Sequence, residues 1–141
     1  MKRSIIAALA LSTLAFTGCR HAGPSGEQQM ANWNSRHPDA ARDLCAWVQN
    51  HAAASQHFFA WDADHPERAR EFVIWTVEHP GEGINAFVAT HGAWSEWDWI
   101  SETHHPAANA FMAWARKHPN AARDLVNHPA GERWAANHFG C

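Results

Sequence analysis

The stretch from Trp33 to Trp47, WNSRHPDAARDLCAW, carries one full period of the pattern that organises this chain. A tryptophan opens it, a histidine follows four residues later, and a proline comes next. An apolar residue then stands three places before the following tryptophan. Trp33, Trp47, Trp61 and Trp75 recur every fourteen residues, each with a histidine four positions on: His37, His51, His65 and His79. Pro38, Pro66 and Pro80 follow three of them, and Leu44, Phe58, Phe72 and Phe111 precede a tryptophan by three. The template W-x3-H-P-x2-A-x2-[FL]-x2-W has a distant echo. His37 to Leu44 reads HPDAARDL and His118 to Leu125 reads HPNAARDL, with Trp33 and Trp114 each four residues upstream. Seven of eight positions agree, so the unit is duplicated.

Proline lacks an N–H and fixes φ, which suits the first helical turn and disrupts the interior. The residue before it is driven from the α region. Each His-Pro pair therefore marks a joint, with one helix ending before it and the next beginning at the proline. Ala40, Ala41, Leu44, Trp47 and Val48 fall at helical spacing on one face, while Arg42, Asp43 and Gln49 take the others. No segment alternates with period two. The expectation is an all-α domain over residues 31–141, built of six to eight helices of about ten or eleven residues. They would pair as αα-hairpins into a compact bundle or short solenoid, because helices this short need tertiary packing. His51 precedes Ala52 instead of proline, so the first two helices either fuse or break near Asn50. The joint histidines are expected to accept a backbone N–H as cap surrogates, to pack on the tryptophan upstream, and to receive the indole N–H groups.

The N-terminus is of another kind. Lys2 and Arg3 precede an apolar run from Ile5 to Phe16, shorter than the roughly 20 residues a spanning helix needs. Positive charge followed by a short apolar run is the secretory-signal pattern. The next residues, Phe16-Thr17-Gly18-Cys19, resemble the lipobox of bacterial lipoproteins, with Phe16 where leucine is usual. That resemblance implies a signal peptide over 1–18 and a Cys19 that becomes the new N-terminus. It also implies a diacylglycerol and fatty acyl chains such as palmitate on that cysteine, giving a lipid anchor in the cell envelope. Arg20, rather than aspartate, follows the cysteine; in a Gram-negative host the resemblance implies the periplasmic side of the outer membrane. Residues 19–30, almost without apolar side chains, read as lipidated cysteine and flexible tether.

Without Lys2 and Arg3 the chain keeps nine basic against 14 acidic residues, a balance that speaks against nucleic acid as partner. With Cys19 acylated, Cys45 and Cys141 remain in an oxidising compartment, either bonded to each other or left as a buried and a free thiol. A bond between them would close a loop of roughly ninety-five residues, contributing about 4 kcal/mol.

Twelve histidines invite a transition-metal reading. Most are spread one per joint, and HExxH, paired CxxC and CxxCH are missing. The closest approach to a cluster is His104-His105 with Glu102, which folding could join to His91, His118 or His128, with zinc or copper as the ion. Trp94, Trp97 and Trp99, beside Glu96 and Asp98, form either a ligand platform or a helix buried on two sides. No G-x-S-x-G, P-loop or G-x-G-x-x-G occurs. The expectation is a non-catalytic, lipid-anchored scaffold or binding module without a cofactor, partnered by the membrane and by another envelope protein or peptidoglycan. The alternative is a histidine-rich zinc- or copper-binding lipoprotein of the periplasm.

Overall fold

The computed structural model describes residues 26–91 and 102–127. They form seven α-helices: α1 (Gly26–Arg36), α2 (Pro38–Asn50), α3 (Ala52–Asp64), α4 (Pro66–Glu78), α5 (Ile84–His91), α6 (His105–Lys117) and α7 (Pro119–Val126). A 3-10 turn at Glu102–His104 leads into α6. No strand occurs among the described residues, and none of their helices is long and apolar enough to cross a membrane.

The joints are tighter than the sequence led us to expect. Helices α2, α3, α4 and α6 each run thirteen residues, and one histidine serves as both the end of one helix and the start of the next. His37, His51 and His65 have φ of −131°, −134° and −134° with ψ of 60°, 52° and 59°, and His118 has −128° and 60°. Each joint N–H still donates to the carbonyl of the tryptophan four residues back, as His37 does to Trp33 at 2.9 Å. Only the ladder bonds just beyond the joint are lost, and proline has no N–H to lose. His51, which lacks the proline, adopts the same backbone angles. Packing of adjacent helices holds that break without help from a pyrrolidine ring.

None of the joint histidines caps the following helix with its side chain, which corrects the cap-surrogate reading. Their backbone φ/ψ lie off the extended region from which Ser or Asp side chains reach an N–H. Packing on the tryptophan is present at every repeat joint, from 4.5 Å between the stacked Trp75 and His79 rings to 6.4 Å for Trp47 and His51.

The apolar position three residues before each tryptophan makes the centre of the core. Leu44, Phe58, Phe72 and Phe111 are wholly buried, and Phe111 lies 4.4 Å from Phe58 and 5.1 Å from Trp47, centroid to centroid. The five described tryptophans are all buried around it. Helix α6 packs against α2, α3, α4, α5 and α7, with Ala107, Ala108 and Ala115 buried on it and permitting close approach. A solenoid would confine contacts to neighbouring repeats. The arrangement is a bundle wrapped on α6.

Two side chains of α6 finish its neighbours. Arg116 donates to the carbonyls of Thr76 and His79, each at 3.0 Å, and to that of Glu82, closing the end of α4. Asn109 Oδ1 accepts the Ile84 N–H at 2.9 Å and so caps α5. Between these ends the chain turns at Gly81, whose φ of +90° suits a residue without Cβ. Helix α1 begins at Gly26, inside the stretch read as tether, because Met30 and Trp33 share a buried helical face.

Candidate functional site

The duplicated units meet face to face. Trp33 Nε1 donates to the Ala121 carbonyl at 2.9 Å, and Trp114 Nε1 donates to the Ala40 carbonyl at the same distance. His37 Nε2 donates to Asp124 Oδ2 at 3.0 Å, and His118 Nε2 to Asp43 Oδ2 at 2.8 Å. Arg36 adds a contact to Asp124 at 3.0 Å, and Lys117 one to Asp43 at 2.8 Å. Each of these three contacts is returned by its counterpart, which is the rule of a two-fold interface applied within one chain. Because a carboxylate only accepts, each imidazole must carry its proton on Nε2. The indoles of Trp33, Trp114 and Trp47, the last donating to Ala107 at 2.9 Å, thus find carbonyls on distant helices and not the histidines expected to receive them.

Asp43 is the electrostatic centre of one half. Its hydrogen bonds from Lys117 and His118 hold its carboxyl at about 2, below the ordinary 3.8. The Arg116 guanidinium pKa is also lowered, there by burial, which disfavours its charged form.

Between the two clasps lies a groove of about 320 Å³, lined by the His-Pro joints and by Arg36 and Lys117. Among the described residues its lining holds no hydroxyl or thiol. Each His–Asp pair looks like half of an acid–base apparatus, but both carboxylates also hold a cation and both imidazoles fix a helix joint. These contacts hold one repeat against the other.

The structure disperses the residues read as metal ligands. His91 stacks on Phe87 at 4.0 Å, donates through Nδ1 to the Phe87 carbonyl, and lies 3.6 Å from Glu71. His118 is committed to Asp43. His104 faces a residue missed by the sequence reading, His57 of α3, with ring centroids 5.3 Å apart. His105 opens α6, and His128 lies outside the described residues. Among the described residues, no group of three or more His, Cys, Asp or Glu side chains is placed to hold a metal ion. His57 alone among the described histidines sits in mid-helix, off the fourteen-residue period, and that was the signal that could have found it.

Trp94, Trp97 and Trp99 lie outside the described residues, as do Cys19 and Cys141. Cys45 is disulfide-bonded, its partner lying outside them as well. Comparison with family models, with curated proteins and with solved structures finds no match for this chain.

Proposed function

We propose that this chain is a lipid-anchored protein of the cell envelope, whose helical bundle is a non-catalytic scaffold or binding module for another envelope component. The observation that carries the proposal is the N-terminal order: Lys2 and Arg3, the apolar run to Phe16, and Thr17-Gly18-Cys19. Diacylation of Cys19 adds two acyl chains, and two are what stable anchoring requires, since one binds only marginally. In a Gram-negative host the anchor would sit on the periplasmic face of the outer membrane. The use of the repeat histidines in joints and clasps supports a scaffold over a catalyst. The partner would be an envelope protein or peptidoglycan.

The test is metabolic labelling with an alkyne palmitate analogue. Wild-type chain should take up label and fractionate with membranes; the Cys19→Ser variant should lose both. Label that persists in the variant, or wild-type chain free in the periplasm, removes the proposal.

The alternative reading, a zinc- or copper-binding lipoprotein, draws support from one observation, the facing rings of His57 and His104.

A further inference from the structure

His57 and His104 differ from most of the described histidines in what they do for the fold. His37 and His118 bond carboxylates, His79 and His91 bond carbonyls, and His51 and His65 form joints against Trp47 and Trp61. His57 and His104 make no hydrogen bond or ion pair among the described residues. His57 is exposed and His104 half-buried, so both rings are reachable from solvent. They come from elements far apart in sequence, α3 and the 3-10 turn, brought together only by the packing of α3 on α6.

Their geometry is distinctive. The centroids lie 5.3 Å apart with planes inclined 39°, neither the face-to-face stack of Trp75 and His79 at 15° nor an edge contact. Two imidazoles bound to one tetrahedral ion, with metal–nitrogen bonds of about 2.0–2.1 Å, hold their centroids roughly 5 Å apart. The ring inclination is left free by coordination, because each ring turns about its own metal–nitrogen axis.

We propose that His57 and His104 form a surface site for a divalent transition ion of the copper, nickel or zinc type. Neutral imidazole suits these ions, and hard ions such as calcium prefer oxygen. Each ring donates one nitrogen lone pair, releasing a proton where it was protonated, and water completes the coordination sphere. The ion bridges α3 to the start of α6. An unfolded chain does not hold residues 57 and 104 together, so the ion binds the folded state preferentially and raises its melting temperature. The proposal is independent of the lipid anchor: loss of metal binding would leave palmitate labelling untouched.

The test uses the full chain in detergent, titrated with Cu²⁺ and followed by electron paramagnetic resonance and by thermal melting. We expect one ion per chain at micromolar concentration, with coupling to two imidazole nitrogens and a higher melting temperature. His57→Gln and His104→Gln should each weaken binding at least tenfold, and the double variant should be little worse than either. Their melting temperatures in chelator should match wild type, which shows that the fold is intact. Wild-type chain that binds only at millimolar copper, or a single variant that keeps wild-type affinity, overturns the site.

Discussion

Trp33 gives its indole proton to the carbonyl of Ala121, 88 residues away, at 2.9 Å. Trp114 returns the bond to Ala40, and the two indoles approach to 6.3 Å between centroids. Two copies of one short unit thus bind each other through bonds made twice.

Substituting either tryptophan therefore weakens the same interface. Trp33→Phe removes a buried donor and leaves a small cavity, with an expected loss of about 2–3 kcal/mol. Trp114→Phe should cost a similar amount. Because the rings touch, the double variant should depart from additivity by about 0.5–1.5 kcal/mol in chemical denaturation.

Asp43 makes its clasp sensitive to acid in a low range. The Asp43 carboxyl stands at about 2 in the folded chain, below its ordinary 3.8, so folding favours its ionised form. Its contribution is complete above about pH 4 and is lost as pH falls through the interval from 3.8 to about 2. Melting temperatures measured from pH 6 to 2 should show the loss, and Asp43→Asn should lower stability at neutral pH while removing that part of the acid step.

Arg116 holds the end of α4 through three carbonyls. Arg116→Met should destabilise the chain by about 2 kcal/mol, and hydrogen exchange should quicken from Thr76 to Ile84 before it does elsewhere. Arg116→Lys should restore little, because an ammonium is not a planar fork.

Cys45 is disulfide-bonded, and if Cys19 carries lipid its partner must be Cys141. Non-reducing peptide mapping should recover that pair. Closing about ninety-five residues contributes roughly 4 kcal/mol, so reduction should lower the melting temperature by about 10 °C or more. Recovery of a Cys19–Cys45 peptide would contradict both the pairing and the anchor.

The helices and their joints were legible because they are local. A histidine-proline pair states where a helix stops, and Leu44, Phe58, Phe72 and Phe111 at one repeat position state which side is buried. What the spacing left open was tertiary. Nothing in HPDAARDL says that Asp43 bonds the histidine of a unit some eighty residues on, although the echo of the two octets at seven of eight positions was a hint of pairing. His51 breaks the chain without proline, which a rule based on the pyrrolidine ring could not settle. His57 stands off the fourteen-residue period, and its ring meets His104 only when α3 lies on α6.

The most direct measurement for the account as a whole is the intact mass of the chain extracted from membranes, with fragmentation of its N-terminal peptide. The account predicts that the chain begins at Cys19 and that this residue carries a diacylglycerol modification. A chain that retains residues 1–18, or that begins at an unmodified Cys19, would contradict it.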